Sequence, residues 1–351
     1  MPSNALFRRF PALAGRLPWV PLGRFPTPVH RLPLPGRDDT WIKRDDLSAP
    51  LYGGNKVRKL EFLLADARRR GATRLITIGA AGSHHALATT LYGCELGFDV
   101  TLVLFPQPPA DRVRRVLRLD ACLGAKIRWV PATAFVPLGV LAARLAHQGE
   151  RLYVVPVGGS NALGTLGYVA GALELAEQIE AGQTDAPQVV HVAAGTLGTA
   201  AGIAIGFALA GIAARVVATR VVSPVVTNER RLGRLVRSTL RLLADAGMRV
   251  PVTTQVLARI ELSARQVGAG YGHATEAGER AREALAVAGV CVDDTYTAKA
   301  AAELLQPSNT AGPVLFWHTY SGVHPLDLRP VPRLPRGAER YLRALAACGP
   351  V

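Results

Sequence analysis

Short apolar runs alternate with longer stretches of helical period along the chain. The runs at Arg74–Ile78, Val100–Leu104, Lys126–Val130, Leu152–Val157, Val189–Ala193, Val216–Val222 and Val314–His318 are rich in Val, Ile or Leu. Most have Gly or Pro on at least one side, which is how strands buried on both faces read. Between them, Val57–Arg70, Asp111–Leu123, Gly164–Glu180, Leu197–Ala210 and Thr275–Ala288 carry helical spacing. This alternation predicts an α/β protein with largely parallel, twisted sheets covered by helices. Gln183–Pro187 reads as an exposed loop, and no repeat of solenoid length is present.

Composition narrows the function classes. Of the 351 residues, 49% are apolar and 19% charged, an ordinary globular balance with room for two domains. The 41 Lys and Arg against 26 Asp and Glu give +15, which invites nucleic acid or an acidic membrane surface. The basic residues are mostly scattered arginines, such as Arg68, Arg69, Arg70, Arg114, Arg115, Arg230 and Arg231. No RNP motif, zinc finger or basic tail accompanies them. Solvated arginine faces are expected, with no nucleic-acid partner and a field that suits an anionic cofactor or substrate. No run approaches the roughly 20 apolar residues that span a bilayer, so no membrane partner is expected. Cys94, Cys122, Cys291 and Cys348 form no CxxC pair. That argues against zinc and disulfides and predicts buried neutral thiols in a cytoplasmic protein. The Arg-bearing first segment looks like a transit peptide, but Pro11, Pro18, Pro21, Pro26 and Pro28 break any amphipathic helix. A folded N-terminal arm is expected there.

Three stretches carry chemistry. In Gly53-Gly54-Asn55-Lys56 the glycines permit close backbone approach, and Lys56 begins a helix. A helix N-terminus favours a neutral amine, which a Schiff-base lysine needs, and suits an anion that Lys59 would reach one turn on. A solvated surface loop is the plainer alternative. In Val189–Gly202 an apolar strand enters the turn Gly195-Thr196-Leu197-Gly198-Thr199 and then a small-residue helix. Backbone N–H groups and two hydroxyls there form a cradle for one phosphate. The Walker lysine and the G-x-G-x-x-G spacing are both absent, which argues against triphosphates and dinucleotides. Tight helix–strand packing is the alternative. In Gly79–His85, Ser83, His84 and His85 lie between a strand and an Ala-rich helix, placed for a substrate carboxylate or proton transfer. Adjacent histidines do not share a helix face, so no metal site is expected. A structural or capping role is the alternative here.

Together these residues resemble a known family. Trp41-Ile42-Lys43-Arg44-Asp45-Asp46-Leu47, followed by Gly53–Ala67, is similar to the D-cysteine desulfhydrase and aminocyclopropane-carboxylate deaminase family. These belong to the tryptophan-synthase-beta-like, fold-type II pyridoxal-phosphate enzymes. The resemblance continues through Phe25–Pro28, Val157–Asn161 with Gly167-Tyr168, Gly270–Gly272, Asp293–Lys299 and Leu315–Thr319. It implies pyridoxal 5′-phosphate as cofactor, Lys56 as its attachment point and Lys59 as a phosphate contact. Gly195, Thr196, Leu197, Gly198 and Thr199 would form the phosphate loop. The resemblance further implies catalytic roles for Ser83, Tyr271 and Tyr296, and places Thr319 near the cofactor's ring nitrogen. Substrate binding would fall to Ser83, His84 and His85. Residues 1–47 and 165–351 would form a large domain and 48–164 a small one, with a cofactor cleft between them, in a homodimer.

Departures from the family pattern shape the expected reaction. Tyr296-Thr297-Ala298-Lys299 stands where the deaminases resemble Tyr-Glu-Gly-Lys, putting a hydroxyl near the ring and favouring β-elimination. The expected activity is therefore that of a lyase converting a small amino acid such as D-cysteine to pyruvate, ammonia and sulfide. Ring opening, β-replacement, racemisation and weak or lost catalysis stay open. His84 replaces an asparagine that in the family bonds the cofactor's ring oxygen, and as a cofactor-binding residue it would donate the same bond. The turn Gly-Thr-Leu-Gly-Thr replaces Gly-Ser-Gly-Gly-Thr, and His318-Thr319-Tyr320-Ser321-Gly322 replaces His-Thr-Gly-Gly.

Overall fold

The computed structural model describes residues 4–34, 36–108, 110–307, 312–321 and 334–347. Its strands are β1 (Val29–Arg31), β2 (Thr40–Arg44), β3 (Arg74–Ala80), β4 (Asp99–Phe105), β5 (Lys126–Trp129), β6 (Leu152–Val154), β7 (Val189–Ala194), β8 (Arg215–Arg220), β9 (Ile260–Ser263) and β10 (Val314–His318). The chain divides into two compact units, one of Met1–Phe62 with Ser160–Val323 and one of Leu63–Gly159 with His324–Val351. The α/β class with mainly parallel sheets is borne out.

In the first unit six strands run in the order β1-β2-β10-β7-β8-β9. All pairs are parallel except β1 with β2. Alternation along β7 divides the burial: Val190, Val192 and Ala194 join one core, Val189 and Ala193 the other. The first core is shared with helices Ala162–Glu180, Gly198–Ala210 and Glu229–Asp245, the second with Glu276–Val287 and Thr297–Leu304. The small residues of Gly198–Ala210 allow its backbone to approach closely. A Cβ added at Gly202 would lie 2.5 Å from Tyr168 Cβ, and one at Gly206 2.5 Å from Ala172 Cβ. Leu6 and Phe7 sit in this core, so the N-terminal segment is folded, and a short helix at Ala5–Arg9 precedes its prolines.

In the second unit β5-β4-β3-β6 form a parallel sheet. Ile76, Val103, Val130 and Ala143 make a core cluster beneath helix Val136–Ala146. The strand expected to reach Val157 stops at Val154, because the chain turns into a short 3-10 helix at Val157–Gly159.

Three strands escaped the sequence reading: β1, β2 and β9. Two are only three or four residues long. The third hides a fully buried lysine, Lys43, inside what reads as a polar segment. The cysteine expectation is corrected as well. Cys94 and Cys291 are exposed and Cys122 is intermediate, none of the three in a disulfide, while Cys348 lies outside the described residues. No helix among the described residues is long and apolar enough to cross a membrane.

Candidate active site

In parallel sheets, ligand-binding loops gather where strands end. In the first unit, β7 leads into the Gly195–Thr199 turn and β10 leads into Thr319. The Gly53–Asn55 turn is stitched to the segment after β10. Asn55 N donates to Thr319 O at 3.0 Å, and Gly53 N donates to Ser321 Oγ at 3.1 Å. Both glycines are required by space. A Cβ at Gly53 would lie 2.0 Å from Asp46 O, and one at Gly54, where φ is +87°, 2.8 Å from Thr319 O. Helix Asn55–Arg69 starts from this fixed turn, which sets the direction of its first lysines.

Two hydrogen-bond chains join that helix to the Gly195–Thr199 turn. Lys56 Nζ donates to Asn55 Oδ1 at 2.7 Å, and Asn55 Nδ2 donates to Thr199 Oγ1 at 3.2 Å. Lys59 Nζ donates to Ser160 Oγ at 3.1 Å, and that hydroxyl lies 2.7 Å from Thr196 Oγ1. A Cβ at Gly198 would come within 2.5 Å of Ser160 Oγ and 3.0 Å of Lys59 Nζ. The turn's backbone is therefore open to the lysine only because position 198 lacks a side chain. Ser160 was not assigned a role from sequence. Its signal was there in Gly-Gly-Ser-Asn just before a helix, a capping pattern.

Burial lowers the Lys56 amine to about 8, and the Asp293 carboxylate opposes the shift. The expected preference for a neutral amine is present, but desolvation is its main cause. Lys59 is held well below the ordinary lysine range by burial first and by the neighbouring Lys56 charge second.

Leu197 has a left-handed backbone, φ +69°, at the N-cap of helix Gly198–Ala210. That conformation costs a non-glycine residue about 1–2 kcal/mol. The side chain is 3% exposed and belongs to the core with Val192, Ala194 and Ala201. Burying a leucine contributes about 1.5–3 kcal/mol, enough to offset the strain. On the other side of the turn, Thr227 Oγ1 donates to Gly195 O.

Tyr296 lies against the same turn, its ring edge 3.3 Å from where a Gly195 Cβ would be. Its hydroxyl is 3.3 Å from that of Tyr271, with the rings edge-to-face at 5.8 Å. Asp293 positions Tyr296 by accepting from the backbone N–H groups of Thr295, Tyr296 and Thr297 at 3.1, 3.0 and 2.9 Å. Lys299, fully buried, holds the Tyr271 loop through the carbonyls of Val267 and Gly270 at 2.8 and 3.0 Å. Thr297 is the first residue of helix Thr297–Leu304. Its hydroxyl donates to Asp293 Oδ1 at 2.7 Å and accepts from Asp293 N at 2.8 Å, so it serves the helix cap. The structure thus gathers Lys56, Lys59, Gly195–Thr199, Tyr271, Tyr296 and Thr319 within one unit.

Ser83, His84 and His85 belong to the second unit, at the carboxyl end of β3. Ser83 is the N-cap of helix His84–Glu95, accepting from Ala86 N at 3.2 Å. His85 is buried with Nε2 3.1 Å from Thr77 Oγ1, whose own proton goes to Val155 O at 3.1 Å. That arrangement assigns the Nε2–H tautomer to His85, a structural bond within its own unit.

The family model described as pyridoxal-phosphate dependent enzyme matches residues 20–319. The chain is 38% identical over 316 residues to nocardicin C-9′ epimerase of Nocardia uniformis subsp. tsuyamanensis, covering 88% of this chain and 94% of the relative. It is 37% identical over 321 residues to D-cysteine desulfhydrase of Salmonella paratyphi A, covering 87% and 94%. Among solved structures, an ACC deaminase homologue superposes with a TM-score of 0.73 at 32% identity, over 91% of this chain and 95% of that one. An O-ureido-L-serine synthase at 19% identity and TM-score 0.58 shares the fold, over 86% and 90%. The chain belongs to the pyridoxal-phosphate-dependent enzymes.

Proposed function

We propose that this enzyme is a lyase that removes a β-thiol from a small amino acid, in the manner of a D-cysteine desulfhydrase. The overall change is D-cysteine plus water giving pyruvate, ammonia and hydrogen sulfide. The observation that carries the reading is the pair of hydrogen-bond chains tying Lys56 and Lys59 to the Gly195–Thr199 turn. The residues fit pyridoxal phosphate. The turn opens a helix N-terminus, two hydroxyls flank it, and a buried lysine approaches it through the space that Gly198 leaves. Lys59, Ser160, Thr196 and Thr199 would hold the phosphate, and Lys56 would be the covalent attachment point.

When bound, the cofactor supplies an aldehyde that captures amines and a ring that withdraws electrons from the substrate's Cα. The chain's own contribution is acid–base chemistry at fixed positions. With its amine lowered to about 8, Lys56 is neutral in about one molecule in ten at pH 7. An ordinary lysine is neutral in fewer than one in a thousand. As a neutral amine, Lys56 would take the substrate's Cα proton. The coupled hydroxyls of Tyr296 and Tyr271 hold a proton for the departing thiolate.

A second reading, epimerisation at Cα, is favoured by the 38% identity to nocardicin C-9′ epimerase. The two are separated by incubating the holoenzyme with D- and L-cysteine and other small amino acids in deuterated water. Elimination gives pyruvate and sulfide from one enantiomer. Deuterated substrate of inverted configuration, without pyruvate, would replace the lyase assignment with epimerisation.

A further inference from the structure

We infer that Leu197 is a positioning residue for the cofactor's phosphate, locking the turn in its receptive shape before the anion arrives. The inference rests on the reading of Gly195–Thr199 as the phosphate turn. Among the described residues, Leu197 is the one non-glycine with positive φ. A residue in that conformation persists only where its surroundings over-determine it. Here the determinant is visible: the side chain is buried in the core beneath β7 and helix Gly198–Ala210.

The turn is tied on three sides. Thr196 is bonded to Ser160, which also takes Lys59, and Thr199 is bonded to Asn55. The carbonyl of Gly195 is held by Thr227. Leu197 supplies the remaining tie, from below, and its carbonyl accepts from Ala201 N at 3.0 Å as the helix begins. A glycine would reach the same φ without strain, yet it would also sample many other conformations. The ordering cost would then fall on cofactor binding. With leucine that cost is met when the core forms, so the turn is already ordered when phosphate arrives.

The test compares dissociation constants of pyridoxal 5′-phosphate and pyridoxal for apo-protein carrying L197M, L197G or L197A, with urea unfolding in parallel. Pyridoxal reaches Lys56 but lacks the phosphate, so it separates a turn effect from a general one. L197M keeps the anchor and should bind both within about twofold of wild type. L197G should weaken pyridoxal phosphate by about fivefold, and L197A by about tenfold, because alanine keeps the strain without the anchor. Pyridoxal binding should stay within about twofold throughout. Variants that bind pyridoxal phosphate as tightly as wild type, or lose both ligands equally, overturn the role of Leu197. If L197A does not fold, L197G decides alone. Wild-type protein with no preference for the phosphorylated ligand would instead overturn the phosphate turn itself.

Discussion

Arg58 and Lys59 are neighbours on one helix turn, yet their surroundings have opposite electrostatic consequences. Arg58 is enclosed by carboxylates. Its Nε and Nη2 donate to Asp45 at 3.0 and 2.7 Å, and its Nη1 and Nη2 to Glu174 at 2.9 Å. Lys43 Nζ donates to Glu174 and Gln178 at 2.6 Å, and Asp45 also accepts from Tyr168 Oη at 2.7 Å and Trp317 Nε1 at 2.8 Å. Burial by itself would weaken the guanidinium's hold on its proton, but Asp45 and Glu174 reverse this and raise it further. For Lys59, burial and the adjacent Lys56 charge push the same way, downward. The difference teaches how one helix start serves two ends. A buried cation matched inside the chain is committed to the fold, whereas one set beside hydroxyls and a like charge gains most from an anion brought from outside.

The largest expected effect comes from breaking the closed region. Arg58→Met leaves Asp45 and Glu174 buried without their shared cation and should cost about 3–5 kcal/mol in urea unfolding. A loss below about 1 kcal/mol would show that the network is not what fixes the helix. The network also has its own pH signature. Burial raises the Glu174 carboxyl, but Arg58 and Lys43 override that and hold it at about 2. Its folded value lies below the unfolded one, so its contribution is complete above about 4.5 and lost as pH falls through about 2. The size is on the order of 3 kcal/mol. Glu174→Gln should flatten the stability–pH curve between those values, measured by unfolding at each pH.

In the open region the effects move to ligand affinity. Lys59→Met should weaken pyridoxal phosphate at least tenfold, the worth of a charge-assisted hydrogen bond of about 1.5–3 kcal/mol. Unfolding stability should hold or rise, since a desolvated cation is removed. Equal losses of stability and affinity would erase the contrast with Arg58. The smallest effect concerns Lys56. Asp293 raises its affinity for a proton, so Asp293→Asn, which keeps a capping side chain, should move the pH midpoint of cofactor capture below about 8. Stopped-flow absorbance across pH reads this directly, and an upward move would contradict the assigned sign.

How much of this was legible in the sequence follows the same division. Lys56 and the Gly195–Thr199 turn stand in contiguous motifs whose local chemistry can be read from one window. The Arg58 network could not be, because Asp45 lies 13 positions away and Glu174 lies 116 away. The same cause hid β2, where Lys43 looks like surface until Glu174 is known to face it. The bond from the Thr297 hydroxyl to a carboxylate four residues earlier was not read from the sequence either. The parallel sheets were legible because Val- and Ile-rich runs must be covered on both faces. Cysteine burial was not, since a thiol is small enough to sit on either side of a surface.

The most direct measurement reduces the protein with borohydride in the presence of pyridoxal phosphate and maps the added mass by peptide spectrometry. The account predicts one phosphopyridoxyl group, on Lys56, and none on Lys59 or Lys299. Modification of another lysine with Lys56 untouched, or no mass gain at all, would contradict it.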